Sequence, residues 1–471
     1  MAVGGGNVGS VKAVIGLEIH IQLDTESKLF CSCPTRASAG PNTAVCEVCL
    51  GMPGSKPVLN KKAVDYALMV ALALNCRANR EFFFSRKTYF YPDLAKNYQT
   101  TQYEVPVGEA GFLEVDGKQV RIRRVHLEED PASLVHEGGV GKSAYSLVDY
   151  NRSGIPLVEI VTEPDMESPA QARRFLDTLL TTLNYLGVYA HGESVLKADC
   201  NISIKGGERV EVKNVTGFRA VEDALEAEFA RQKVAVAAGE RIVQHTRGFD
   251  AETKSTYGMR TKETEDDYGY IFDADLAKVE VDEEWLAMVM RSLPELAGTK
   301  AARFQKQYGL KEYDAKVLAA DKALAEIFED CAKVDVQIAG RLVSRELMGI
   351  LNHNKLRIQD TKINSPGISG LVELMKAGKV SERNAKESLI KYALEGIAPV
   401  DYLGRNGLLI DISAGGLEAA VNEVAAENAD SFSEFKSGNA KSLNFLIGAV
   451  MRKMRGRADA REVQRLLEAM K

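Results

Sequence analysis

Glu18 and His20 stand two residues apart in the stretch Val14 to Leu23, VIGLEIHIQL. At a period of two, Ile15, Leu17, Ile19, Ile21 and Leu23 share one face of a strand, and Gly16, Glu18, His20 and Gln22 share the other. A half-buried strand ordinarily offers water Thr, Ser and Lys. A carboxylate and an imidazole projecting the same way suit two ligands of one metal ion, or a site for a charged ligand; a Glu–His pair on a wet sheet face is the alternative. The theme recurs. In KQVRIRRVHLEED, His126 and Glu128 share a face, with Glu129 and Asp130 at the end of the strand. LVEIVTE sets Glu159 among aliphatics, and Lys197 to Lys205 alternates strictly, with Asp199 and Asn201 on the polar side. After a Gly206-Gly207 turn, Arg209, Glu211 and Lys213 return on that same side.

A solvated sheet explains any one of these strands. Their repetition, with functional side chains in place of Thr and Ser, points to a concave polar sheet serving as a site. Several carboxylates with an imidazole suit hard cations such as Mg²⁺ or Mn²⁺, leaving Arg and Lys for phosphates. The residues thus read as a metal–nucleotide site.

A second constellation has a different chemistry. Cys31-Ser-Cys33 and Cys46-Glu-Val-Cys49 are two tight thiol pairs joined by a turn-rich loop that has no core of its own. Each pair can span one edge of a tetrahedron, and four thiolates leave no open position, so the spacing predicts a structural zinc rather than a catalytic one. Unmetallated core or surface thiols are the alternative. Cys76, Cys200 and Cys331 are isolated and read as packing residues. The stretch FFFSRKTYFYPDLAKNYQTTQYEVP reads either as a core strand plus loop or as a binding wall, in which Arg86, Lys87, Tyr89, Tyr91, Lys96, Asn97, Tyr98 and Gln99 meet a nucleotide or an RNA end. Gly138-Gly-Val-Gly-Lys142-Ser143 imitates the end of a P-loop, but His136 occupies the place of the first glycine and no apolar strand precedes it. It is rejected as a phosphate loop.

The elements that must position these residues follow from periodicity. Lys61 to Leu74 is a helix apolar nearly all round, Phe112 to Asp130 a hairpin turning at Asp116-Gly117, and Val221 to Ala238 a long helix. Arg247, Arg260, Lys262 and Asp267 lie in charged, extended chain and are further candidates for the polar front. Beyond about Glu283 the pattern is helical almost throughout, with breaks at Pro366-Gly367 and Gly396 to Pro399. In the last helix Val463, Leu466, Leu467 and Met470 form a core stripe, with Arg461 and Arg465 outward.

With 45% hydrophobic and 27% charged residues among 471, the composition is that of a soluble globular protein of roughly three domains. No apolar run approaches the ~20 residues of a membrane helix, and the N-terminus reads as a flexible leader, so a cytoplasmic location is expected. Seven cysteines without a secretion signal argue against a disulfide framework. The net charge of −6 excludes an indiscriminate polyanion binder, yet Phe432 to Lys471 holds nine Lys or Arg against four Asp or Glu. A basic face of Lys436, Lys441, Arg452, Lys453, Arg455 and Arg457 could touch an RNA backbone by charge and shape. A solvated face is the bland reading.

Taken together and in this order, VIGLEIHIQL, the cysteine insert, LGMPGSKPVLN, RKTYFYPDLAKNYQ, HLEED, NRSGIPLVEIVTEPD, KADCNIS, VEVKNVTGF and MRTKETEDDYGY resemble the B-subunit family of the tRNA-dependent amidotransferase GatCAB, over nearly the whole chain. The resemblance implies an α+β protein in three parts. These are a mixed cradle domain with a polar-faced β-sheet at 1–290, carrying the zinc insert at 31–49; an all-helical linker domain at 291–398; and a small helical YqeY-like tail at 399–471 that embraces tRNA. It implies phosphorylation, by ATP with Mg²⁺, of the side-chain carboxylate of Asp or Glu mischarged on tRNA-Asn or tRNA-Gln. Ammonia from an amidase partner then displaces the phosphate. The expected partners are the amidase (the A subunit of GatCAB) and its small C subunit, because no amidase signature is present in this chain. The related archaeal E subunit carries an inserted domain for which 471 residues leave little room. Carried onto this sequence, the resemblance gives metal and catalytic roles to Glu18, His20, Glu128, Glu129, Glu159 and Asp199, with Glu18, His20 and Glu128 as magnesium ligands. Arg152, Lys213, Asn214 and Arg260 are expected to meet phosphate or the substrate carboxylate. The alternative is a non-catalytic tRNA-docking subunit, or a scaffold with metal only at the cysteines.

Overall fold

The computed structural model describes residues 12–36, 39–136, 143–189, 196–204, 207–260, 268–410, 414–454, 458 and 460–470. Gly138 to Lys142, Lys262, Asp267, Arg455 and Arg457 lie outside these, as do the side chains of Asn214 and Arg260. The described chain divides into two compact units, Met1–Leu296 and Ala297–Lys471.

In chain order the first unit forms strands β1 (Ala13–Gln22), β2 (Arg77–Ala78), β3 (Glu81–Phe82), β4 (Ser85–Thr88), β5 (Tyr98–Thr101), β6 (Gly108–Val115), β7 (Lys118–Glu129) and β8 (Ser133–Val135). There follow β9 (Leu147–Asp149), β10 (Pro156–Thr162), β11 (Lys197–Ile204), β12 (Val210–Thr216), β13 (His245–Asp250), β14 (Ser255–Arg260), β15 (Gly269–Phe272) and β16 (Val279–Glu280). Nine of them make one sheet in the order β14-β13-β12-β11-β1-β10-β7-β6-β2. All its neighbours are antiparallel except β12 and β13. β1 is the middle strand. Its odd-numbered residues Ile15, Leu17, Ile19 and Ile21 are buried at 0–3% exposure, while Glu18, His20 and Gln22 are only half-buried.

The apolar back of the sheet packs into one core with helices α1 (Lys61–Ala73), α2 (Pro169–Leu186), α3 (Phe218–Ala237) and α4 (Glu283–Ser292). Three of these starts have a local cause. Asn60 caps α1 by accepting from Lys62 N and Ala63 N; Ser168 caps α2 ahead of Pro169; Asp282 caps α4. α1 buries eight of its thirteen residues, as its all-round apolar pattern requires. The hairpin between β6 and β7 turns at Asp116 (φ 52°) and Gly117 (φ 74°), two positive φ angles that match the twist of the flanking strands. With α1 to α4 on the apolar side, the front is left to polar side chains. A small sheet in the order β15-β4-β5 carries the aromatic and basic stretch.

The second unit is helical. Buried residues from Phe304 to Leu403 form one apolar cluster, and those from Val421 to Leu467 form a separate one. In the last helix, Ala460–Ala469, Val463 and Leu467 are buried and Arg461 and Arg465 face outward, as the stripe predicts.

Two glycines give contrasting tests of this packing. A Cβ on Gly111 would lie 2.4 Å from both the Leu74 carbonyl and Cys76 Sγ, where the backbone already accepts from Phe112 N. A Cβ on Gly16 would meet Pro164 at an ordinary 3.6 Å. Thermal unfolding should therefore find Gly111→Ala destabilised by about 1–3 kcal/mol, and Gly16→Ala close to the parent chain.

Candidate functional site

Register aligns the polar residues across the front of the sheet. His20 lies opposite Glu159 on one side and Lys197 on the other, and Glu159 lies opposite His126. Glu18 lies opposite Asp199. A bulge between β11 and β12 sets two residues, Lys213 and Asn214, against the single Asp199, because Ala198 pairs with Val215 and Cys200 with Val212.

Two carboxylate groups result. In the first, His20 Nε2 is 3.4 Å from both Glu128 Oε1 and Glu159 Oε2, and His126 Nε2 is 3.1 Å from Glu159 Oε2. In the second, Glu18, Asp199 and Glu211 each bring an oxygen within 4.8 Å of the others. Asn201 Nδ2 donates to Glu18 Oε1 at 3.0 Å, and Lys213 Nζ is 3.7 Å from Glu211. His20, Glu128 and Asp199 line both of two neighbouring cavities. One, of about 590 Å³, is walled by Arg123, Arg124, Arg209, Lys213, Tyr103, Tyr268 and Tyr270; the other, of about 380 Å³, by Lys87, Gln99, Asp130, Arg152 and Lys197.

Burial and close-set charges perturb these groups. Burial, reinforced by Glu159, Asp199 and Glu211, pushes Glu18 up to about 7. Burial works against a charge on His20, but Glu159, through charge and hydrogen bond, and then Glu128 and Asp199 overcome it and raise the imidazole to about 10. Burial likewise disfavours a charge on Glu159, yet the two imidazoles hold it well below the usual carboxylate range. Burial raises Glu128 and Glu211.

The other expected residues are placed as follows. Glu129 stands outside both groups: Lys96 Nζ and Thr100 N bond its Oε1 at 2.5 and 2.8 Å. Arg152 Nε donates to Asp130 Oδ2 at 2.5 Å, and Gln22 Nε2 reaches the same oxygen at 2.9 Å. Of the aromatic and basic stretch, Lys87 joins the cavities while Arg86 is tied to Asp273 and Asp275. The backbone of Arg260 closes β14 opposite Thr246. Lys436, Lys441, Arg452 and Lys453 are exposed in the second unit, Lys453 paired with Glu423 and Glu427. Glu211 and Lys197 were legible only as members of alternating strands. Tyr103 and Tyr270 stack at 3.9 Å between ring centres across a separation in sequence that no local pattern encodes.

The cysteines converge. Cys31, Cys33, Cys46 and Cys49 bring their sulfurs within 4.8 Å of one another, with Cys46 N donating to Cys49 Sγ at 3.1 Å. A hydrogen bond from Cys31 lowers Cys49 to about 5 despite burial, with Cys46 N and the charge of Lys28 adding to it. Four soft donors at this spacing, one already disposed to ionise, fit a tetrahedral zinc. Cys76, Cys200 and Cys331 are buried singly.

The sequence profile of the GatB/GatE catalytic domain matches residues 13–287, and that of the GatB domain matches residues 326–470. A curated relative from Thermotoga maritima, named as the B subunit of an aspartyl/glutamyl-tRNA(Asn/Gln) amidotransferase, is 44% identical over 477 residues, covering 97% of this chain and 99% of its own. Relatives of the same name from Carboxydothermus hydrogenoformans and Sulfurisphaera tokodaii are each 42% identical, covering 97% and 96% of this chain and 98% of their own. The chain that carries the two carboxylate groups and the four-cysteine cluster therefore belongs to the GatB/GatE family of amidotransferase subunits.

Proposed function

We propose that this chain phosphorylates the side-chain carboxylate of Asp or Glu mischarged on tRNA-Asn or tRNA-Gln, using ATP, and then amidates it with ammonia delivered by an amidase partner. The observation that carries this reading is the pair of carboxylate groups on one sheet face, bordered by Lys and Arg and opening into two adjoining cavities. A carboxylate is inert toward ammonia because its oxygen is a poor leaving group; an acyl phosphate removes that obstacle. Transfer of the γ-phosphoryl group needs alignment and charge stabilisation more than covalent help.

Each of the two groups, Glu128 and Glu159 with His20, and Glu18, Asp199 and Glu211, fits a hard divalent cation through its carboxylate oxygens, and His20 becomes a ligand only when a cation displaces its proton. A magnesium ion held by these residues would supply positive charge against the charge that develops on the transferring phosphoryl group. His126 holds Glu159 in position through its 3.1 Å contact. Arg152 and Lys197, at the smaller cavity, are suited to the substrate carboxylate; Lys213, Asn214 and Arg260 are assigned to phosphate. Glu129 serves by holding Lys96, not by touching the cations. The cysteine cluster takes a structural zinc. The two apolar clusters of the second unit support a helical linker and a separate tail, whose Lys436, Lys441, Arg452 and Lys453, with Arg455 and Arg457, meet the tRNA backbone. The working assembly contains the amidase and the small third chain of GatCAB, and acts in the cytoplasm. Among the described residues no helix is long and apolar enough to cross a membrane.

The decisive experiment is ATP hydrolysis by the chain with its co-purified partners, with and without mischarged tRNA. Stimulation by Asp-tRNA-Asn or Glu-tRNA-Gln is expected, and Glu159→Gln should reduce it about 100- to 1,000-fold while partner binding persists. Bound tRNA without stimulation would favour a docking subunit instead. For the zinc, metal analysis should find about one ion per chain, and its removal by a chelator should open the 31–59 segment to protease while the nine-stranded sheet stays folded. For the tail, replacing Lys436 and Lys441 by Ala should weaken tRNA binding on any sequence and flatten the salt dependence by about one unit for each phosphate no longer met.

A further inference from the structure

Lys28 is fully buried, three residues ahead of Cys31. Its Nζ donates to Cys49 Sγ at 3.6 Å and to the Tyr150 carbonyl at 3.2 Å. Among the described residues no carboxylate pairs with it. A buried ammonium is unfavourable without a compensating negative charge, and here the sulfur cluster supplies it: four thiolates around one divalent ion leave a net negative charge on the sulfurs.

The second contact of Lys28 leads toward the reaction chamber. The loop between the cysteine pairs is bonded to the segment before β10. Asn42 N donates to Asp149 Oδ1 at 2.9 Å, Tyr150 N to Asn42 Oδ1 at 2.7 Å, and Ala44 N to Asn151 Oδ1 at 2.8 Å. Ser153 Oγ donates to the Cys49 carbonyl at 3.2 Å. The same turn carries Arg152 against Asp130, and Gly154 N donates to the Asp130 carbonyl at 2.9 Å. Gly154 has φ +86°, and the place of its missing Cβ lies 3.5 Å from Lys28 Cδ, 3.6 Å from Cys49 Cβ and 3.9 Å from Glu129 Oε2, whose carboxylate is already bonded by Lys96. The turn, the lysine stem and the cysteine pack directly on one another.

We propose that Lys28 is a positioning residue: its ammonium balances the charge of the metal–thiolate knuckle and ties that knuckle to the Tyr150–Ile155 turn, so that the metal module sets Arg152 at the edge of the smaller cavity. The inference rests on reading the cysteines as a zinc site and Arg152 as a substrate contact. It gives the zinc a function beyond closing its own loop. Loss of the metal or of the Lys28 charge is felt at Arg152, which sits in a different segment of the chain.

The test uses the full chain assembled with its partners and compares Lys28→Met, which keeps the stem and loses the charge, with Lys28→Arg, which keeps the charge. In competition with a chromophoric chelator, Lys28→Met should hold zinc about 10- to 100-fold more weakly than the parent, as expected when an outer partner of a metal ligand is removed, and Lys28→Arg should recover part of that loss. In ATP-dependent amidation, the fall in kcat/KM caused by Lys28→Met should not add to that of Arg152→Lys. Zinc binding equal to the parent, or fully additive losses with Arg152→Lys, would overturn the proposal. If Lys28→Met does not accumulate as folded chain, Lys28→Gln loses the charge and keeps a donor, and reads the same two quantities. A parent chain that binds no zinc when it is supplied would refute the metal reading and the proposal with it. A parent that binds zinc and amidates, matched by Lys28→Met in both, would refute the role of Lys28 alone.

Discussion

Like charge crowded on a half-buried surface is the constraint on which the rest of this molecule depends. Glu18, Glu128, Glu159, Asp199 and Glu211 share one sheet face, and burial, with the repulsion of Glu159, Asp199 and Glu211 added to it, raises Glu18 to about 7. Such an arrangement costs stability unless positive charge stands among the acids. His20 and His126 supply it to Glu159 from both sides, and Lys213 supplies it to Glu211. An acid cluster of this kind is retained against its cost when something must bind it, and a hard cation is the ligand its oxygens fit.

The fold meets that cost on the opposite side of the same strands. β1 buries Ile15, Leu17, Ile19 and Ile21 in a core shared with four helices. Strand parity makes the two faces inseparable: a slip of one residue in the register of β1 would drive Glu18 and His20 into that core and bring the isoleucines to the front. Register is thus fixed by the apolar residues, and the functional residues are placed by it. The bulge that sets Lys213 and Asn214 against Asp199 is the one place among β11 and β12 where this alternation is broken, and it delivers a cation to the acids.

This explains what could be read from the chain alone. The two faces of β1, the hairpin at Asp116-Gly117 and the stripe of the last helix are local periodicities, and each has the structure its pattern demands. The cysteine cluster was legible because its spacing is itself the geometry. Pairings across the sheet were not. That Glu159 stands between His20 and His126, or that Glu129 turns to Lys96 instead of joining the other acids, is decided by register between segments far apart in sequence. Lys28 gave no signal at all. A lone lysine before an apolar pair reads as surface, and only the folded chain reveals that its ammonium is enclosed beside a sulfur.

The proposed chemistry makes the acid-rich floor intelligible in a way that a general nucleotide site would not. In most phosphoryl transfers the nucleophile is neutral before attack, and the cationic groups serve mainly the phosphates. Here the nucleophile is a carboxylate, so a negative group must approach a negative γ-phosphate. Fixed lysines and arginines alone would satisfy both anions in the ground state and hold them apart, each in its own pairing. The sheet's own carboxylates would instead hold cations whose charge lowers the repulsion between the two anions. Glu and Asp already neutralise part of that positive charge, so neither reactant is bound too tightly to react. The two cavities share His20, Glu128 and Asp199 in their walls, and under the proposed chemistry a reactant in each would face the other across these residues.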